Sequence, residues 1–309
     1  MALSKPMRFV IAALTRNAAK VNIKKEYQLV RNFTRAAHLP LLKPAYRPWN
    51  HVIRCGNHEV PVRIFSPSGT SGGLLIFFHG GGWVSGDIDS YNDVCVLMTR
   101  MIQYTVISVD YRLAPEHPFP AGLHDCYTAV QTVFQEVADF GFTASDVTLI
   151  GDSAGGNLAA AVSLMTRDRG AILPARQILL YPSLWYDHNP QTSPFESIRS
   201  NGQDNMLTAQ RVEDYINLYK SSDQDLHNPY FAPLLAKDFS CQPATLILSA
   251  EYDPLRDEGE EYGRRLAEAG GKVRIRRIRD CMHGFFSLIG MPAPVKAAYQ
   301  YINEFLSIR

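Results

Sequence analysis

The stretch "LIGDSAGGNLAAAVSLM", Leu149 to Met165, decides how the chain folds. The apolar run Val147–Ile150 stops at Gly-Asp-Ser-Ala-Gly-Gly, and small and apolar residues follow at once. A strand that turns sharply into a helix reads this way. Gly151, Ser153 and Gly155 spell G-x-S-x-G, a tight and strained elbow. The residues two before and two after the serine come close together, so only very small side chains fit there. The Ser153 hydroxyl then stands at the C-terminal edge of a sheet, where ligands of open α/β folds bind. A Gly-rich turn that holds phosphate at a helix N-terminus is the competing reading. The stretch alone leaves both open.

Around it, apolar runs alternate with helical stretches. Strands are expected at Leu74–Phe78, Thr105–Val109, Val147–Ile150, Gln177–Leu180, Ala244–Ser249 and Val273–Ile278. Helices are expected at about Gly122–Phe140, Ala154–Arg169, Ala209–Tyr219, Leu255–Ala269 and Pro294–Leu306. Such alternation calls for a mostly parallel sheet covered by helices on both faces. "HVIRC-GNHE-VPVRIF" (51–65) reads as an antiparallel hairpin about Gly-Asn. The interval 184–205, rich in Pro, Ser, Asn and Gln, breaks the rhythm as a lid or binding loop would. There is no internal repeat.

The composition is that of a globular protein: 309 residues, 46% hydrophobic and 20% charged, with a net charge of +1 that favours neither nucleic acid nor membrane. The charge is uneven. Residues 1–50 hold ten Lys or Arg against one acid, Glu26, leaving −8 on the other 259 residues. A basic segment laid over an acidic body explains this, and a basic arm for an anionic partner is the alternative. Leu3, Met7, Val10, Ile11, Leu14 and Val21 repeat at helical spacing, and the apolar centre Phe9–Leu14 is too short for a signal peptide. "KVRIRRIR" (272–279) reads as a late sheet strand with edge cations that discourage aggregation, not as a nucleic-acid patch. Five scattered cysteines give neither a disulfide framework nor a CxxC pair, which points to the cytoplasm. No window is apolar enough to span a membrane.

Two further segments carry chemistry. His79-Gly80-Gly81-Gly82 follows a strand and can present backbone N–H groups to a developing oxyanion, as acyl transfer requires. A flexible glycine loop is its bland alternative. Downstream, "LILSAEYDPLRDEG" puts Asp253 just past a strand, and "RDCMHGFF" puts His283 just past the next. A serine hydroxyl becomes a nucleophile when a histidine takes its proton, and a carboxylate sets that histidine's tautomer. Asp257 is the rival acid, but it falls a turn into the following helix. Cys281, two residues from His283, is expected to slow the enzyme when a thiol reagent adds bulk to it. Trp83 is expected either to wall the pocket or to pack against a cap.

HGGGW (79–83), DYRLAPEHPFPA (110–121), GDSAGG (151–156), DPLRDEG (253–259) and HGF (283–285) together resemble the bacterial members of the hormone-sensitive lipase group of α/β-hydrolases, carboxylesterases of the acetyl-esterase kind. The resemblance runs from about residue 60 to the end, in the order Ser, Asp, His. It implies an α/β-hydrolase fold with a helical cap: residues 1–48 as an N-terminal cap segment, then a catalytic domain over 49–309 with a cap insertion at about 184–221. It implies a triad of Ser153, Asp253 and His283, with oxyanion donors at Gly81, Gly82 and Ala154. Arg112 and Glu116 become scaffold residues. Short-chain esters of about C2–C6 would be the substrates, with no cofactor and no metal. An amidase using the same triad is one alternative, and a ligand-binding receptor without turnover is another, disfavoured because His283 is present. A homodimer stays open.

Overall fold

A computed structural model of the chain describes residues 23–37, 48–203, 205–287 and 292–307. The amphipathic helix expected over Leu3–Val21 lies outside the described residues. Eight strands form one sheet: β1 (Trp49–Cys55), β2 (His58–Phe65), β3 (Leu74–Phe78), β4 (Thr105–Val109), β5 (Val147–Asp152), β6 (Arg176–Leu180), β7 (Ala244–Tyr252) and β8 (Val273–Met282). Their spatial order is β1-β2-β4-β3-β5-β6-β7-β8. The hairpin β1–β2 and the pair β2–β4 are antiparallel, and every other neighbouring pair is parallel.

The continuous apolar runs are strands buried on both faces. Along β3, Leu74, Ile76 and Phe78 face one core and Leu75 and Phe77 the other, as the two-residue pleat dictates. Each such side chain contributes roughly 1.5–3 kcal/mol of transfer free energy. Helices α1 (Ile23–Ala37), α2 (Asn92–Ile102), α3 (Ala121–Gln135), α4 (Ala154–Asp168), α5 (Glu196–Asn201), α6 (Ala209–Tyr219), α7 (Arg256–Glu268) and α8 (Pro292–Leu306) complete the described elements. Helices α3, α4 and α7 pack on the first face, and α2 and α8 on the second. None of the described helices is long and apolar enough to cross a membrane.

Three expectations need correction. The helix read as Gly122–Phe140 ends at Gln135, because the chain turns back through Glu136–Gly141, where Gly141 takes a φ of +77°. The interval 184–205 is not wholly irregular, since α5 lies inside it. Helix α2 was not foreseen at all. Its residues 94–96, 98, 99 and 102 are buried, so much of its circumference is covered and no clean helical stripe shows.

The charge asymmetry finds its physical counterpart in α1. Arg31 donates to the Val84 and Ala114 carbonyls at 2.6 and 2.9 Å and pairs with Glu116 at 2.7 Å. Arg35 pairs with Asp87 at 2.6 Å, and Lys24 with Asp214 of α6 at 3.4 Å. Three of the ten N-terminal cations thus hold α1 on acids of the body. Strand β8 is the sheet edge, and its Arg277 is paired with Glu260 at 2.7 Å.

Candidate active site

Strands β5, β7 and β8 deliver the chemistry to one end of the sheet. Ser153 follows β5 and precedes α4, with φ +56° and ψ −118°, a backbone state that costs a non-glycine residue of order 1–3 kcal/mol. Close packing around the elbow demands glycine. A Cβ on Gly155 would sit 1.9 Å from the Phe78 carbonyl oxygen, and one on Gly151 would sit 2.2 Å from the Gly155 oxygen. Asp253 comes one residue after β7 and His283 one residue after β8.

The three side chains form one line. Ser153 Oγ lies 2.8 Å from His283 Nε2, and His283 Nδ1 lies 2.8 Å from Asp253 Oδ2. A carboxylate only accepts, so Nδ1 carries the proton and Nε2 is left to receive that of the serine. Asp253 is fully buried, and its other oxygen accepts the Leu255 N–H at 2.9 Å. The Tyr181 ring meets His283 edge-on at 4.9 Å. Asp257 is engaged elsewhere: it accepts the Ser197 N–H at 2.7 Å and pairs with Arg256 at 2.8 Å.

Backbone directions around the serine follow from the carbonyls, because C=O and the next N–H point opposite ways across a trans peptide. The Gly80 carbonyl accepts from His79 Nδ1, and the Gly81 carbonyl is taken by the N–H groups of Val84 and Ser85. Gly81 N–H and Gly82 N–H therefore point away from those partners, and both glycines line the cavity that holds Ser153. Gly81 has φ +114°, and a Cβ there would lie 2.1 Å from the Ser85 oxygen. Ala154 opens α4, where a helix leaves its first N–H groups without intrahelical acceptors. The arrangement offers donors to a negative oxygen beside a hydroxyl whose proton has somewhere to go.

The cavity measures about 250 Å³. Its floor is the elbow, the glycine loop and His283, and its roof comes from α1 and α6 through Thr34, Val212 and Tyr215. Trp83 has two sets of neighbours. It borders the cavity while lying parallel on Tyr219, with ring centres 4.4 Å apart. The segment after β6 is tied down by a fully buried pair: Glu258 accepts the Leu184 N–H at 2.6 Å and faces His188 Nε2 at 2.7 Å. Sequence reasoning missed this pair, and no local signal announces it.

Cys281 corrects an expectation. Its side chain is fully buried, its thiol donates to the Ile278 carbonyl, and burial pushes its pKa up to about 12. A thiol reagent cannot reach it, and little thiolate exists to react. Iodoacetamide applied to the native protein is therefore expected to modify the exposed Cys241 and spare Cys281, with activity unchanged. Peptide mass spectrometry reads this; alkylated Cys281 in folded protein contradicts it.

Among the described residues, Cys55, His58 and Asp125 bring three metal-ligand atom types within 4.8 Å. Asp125 is already saturated: Arg112 donates to both of its oxygens at 2.8 and 2.9 Å, and His58 faces Oδ1 at 2.7 Å. The guanidinium supplies the positive charge that a cation would bring. The cluster bolts the β1–β2 hairpin to the Tyr111–Glu116 turn, which is a scaffold role for Arg112.

A family model for the alpha/beta hydrolase fold matches residues 75–287. An arylesterase of Saccharolobus solfataricus is 37% identical over 235 residues, which are 75% of this chain and 75% of that protein. A carboxylic ester hydrolase, LipN, of Mycobacterium tuberculosis is 41% identical over 74% of this chain and 62% of its own length. Among solved structures, a hyperthermophilic esterase from Pyrobaculum calidifontis superposes with a TM-score of 0.90 at 32% identity, covering 99% of this chain and 98% of that one.

Proposed function

The chain belongs to the α/β-hydrolases of the hormone-sensitive lipase type, and from that premise we propose that it is a serine carboxylesterase acting on short-chain esters. One observation carries the reading: the unbroken line from buried Asp253 through His283 to Ser153, with both contacts at 2.8 Å, opening into the cavity. Ser153 Oγ attacks the ester carbonyl while His283 Nε2 takes its proton. The oxyanion faces the N–H groups of Gly81, Gly82 and Ala154. His283 returns the proton to the leaving alcohol, and the acyl group stays on Ser153. Water then gives a proton to His283 and attacks the acyl carbonyl; as the acid leaves, His283 returns that proton to Ser153 Oγ and the serine is restored.

Residues 1–48 and about 184–221 act in this reading as a two-piece cap on a catalytic domain spanning 49–309. The contact of α1 with α6 supports it. The preference for acyl chains of about C2–C6 rests on the small cavity, below the ~300 Å³ at which typical ligand pockets begin. Free cysteines support a reducing, cytoplasmic setting.

The test is hydrolysis of p-nitrophenyl acetate, butyrate, octanoate and laurate, with a matched butyryl anilide beside the butyrate. Each methylene changes discrimination by about 1–3 kcal/mol at most, so turnover should decline over several carbons with no abrupt end. A peak at acetate or butyrate is expected, with the anilide far slower. A flat response to laurate overturns the short-chain preference. Equal cleavage of the anilide makes the protein an amidase, and a folded protein that turns over neither is not a hydrolase of this kind.

A further inference from the structure

We propose that Asp152, the residue before the nucleophile, is a positioning residue whose carboxylate fixes the glycine loop against the serine elbow. The inference rests on the esterase reading, in which Gly81 and Gly82 supply N–H groups to the oxyanion.

Strands β3 and β5 run parallel, and their last paired residues are Phe78 and Gly151. Beyond that point no strand remains to hold the two loops together. The next connection is made by a side chain: Gly80 N–H donates to Asp152 Oδ1 at 2.8 Å. The carboxylate thus continues the ladder one step past its end, between the glycine loop and Ser153. Its other oxygen accepts the Tyr91 hydroxyl at 3.2 Å and the Tyr181 hydroxyl at 3.4 Å. Tyr91 precedes α2 and Tyr181 follows β6, so four segments of chain converge on one group.

Asp152 is 2% exposed, and among the described residues no Lys or Arg stands within ion-pair distance. Burial pushes its pKa up to about 6, which still leaves a carboxylate at neutral pH. A buried charge held by neutral donors is costly to keep. Its hydrogen bonds account for where Gly80 lies. The contact is tight, for a Cβ on Gly80 would fall 2.6 Å from Asp152 Oδ2. Any shift of Gly80 passes directly into Gly81 and Gly82, whose N–H groups must meet the oxyanion within about 2.7–3.1 Å.

The experiment compares wild type, Asp152→Asn and Asp152→Ala in butyrate-ester kinetics and in inhibition by a butyl trifluoromethyl ketone, which forms a tetrahedral oxyanion adduct on the serine. Asp152→Ala is expected to lower kcat by ~10²-fold with KM nearly unchanged, and to weaken the ketone by the same factor. Asp152→Asn keeps an oxygen acceptor for Gly80 N–H and is expected to stay within about tenfold of wild type on both readouts. A structural role alone would lower the melting temperature and leave kcat per folded molecule and ketone affinity in place. The proposal is overturned if folded Asp152→Ala retains wild-type kcat. It is overturned equally if kcat falls while ketone affinity holds, or if Asp152→Asn is as impaired as Asp152→Ala. Should Asp152→Ala fail to fold, Asp152→Leu fills the space without an acceptor and carries the same expectation. A wild type that hydrolyses no ester sinks the functional reading and this inference with it. An active wild type with an unimpaired alanine variant sinks this inference alone.

Discussion

Ser153→Ala is expected to lower kcat by roughly 10⁵- to 10⁶-fold, with folding and ester binding intact. The change removes one oxygen atom and leaves the elbow as it is, because alanine meets the same backbone state of φ +56° that serine already endures. What disappears is the atom that carries the acyl group in the proposed mechanism. His283 and Asp253 remain linked at 2.8 Å, but they are left with no hydroxyl to deprotonate. A small residual rate above that of water should survive, since the amide donors still face any oxyanion that bulk water creates. The measurement is burst and steady-state release of p-nitrophenol from the butyrate ester, with circular dichroism and melting temperature as controls on folding. Loss of the burst together with an unchanged melting temperature places the chemistry on Ser153. A variant that keeps more than about one hundredth of the rate would mean that another nucleophile operates.

Most of the fold could be read because its information is local. The buried strands are uninterrupted apolar runs, and the elbow announces itself through glycines that the chain needs at van der Waals range. The positions of Ser153, Asp253 and His283, which the fold brings together, could be read for the same reason, since each lies within a residue of a strand end. The glycine loop was legible as a motif, but the directions of its amides were not. Those depend on which groups accept from Val84, Ser85 and His79.

The parts that escaped are those in which a residue's role is set by something distant in the chain. Helix α2 packs on the sheet and also against α8, so burial over much of its surface erased the periodic stripe. His188 and Glu258 are 70 residues apart and meet only after the sheet has formed. Asp152 stood inside the most informative stretch of all, yet its partners Gly80, Tyr91 and Tyr181 arrive from three other segments. Arg31 and Arg35 were seen only as net charge until α1 showed which carbonyls and acids they hold.

Asp253→Asn is expected to lower kcat by about 10³- to 10⁴-fold, and Asp257→Asn to leave kcat nearly intact. The two acids are four residues apart and competed on sequence alone. Geometry separates them. Asp253 Oδ2 accepts from His283 Nδ1, so an amide in its place can turn its NH₂ toward the ring and force the proton onto Nε2. That tautomer has no lone pair for the serine proton, and the imidazolium formed during attack loses the negative charge that stabilised it. Asp253 is also fully buried, so water cannot take over its task. Asp257 serves the start of α5 through the Ser197 N–H and pairs with Arg256, and neither group touches the histidine. Its replacement should cost stability, of order 1 kcal/mol, and show in urea unfolding without showing in kcat. Paired kinetics and unfolding curves for both variants therefore give opposite patterns. If Asp257→Asn were the one to lose turnover, the proton relay would run along α7 and the line through Asp253 would be the wrong one.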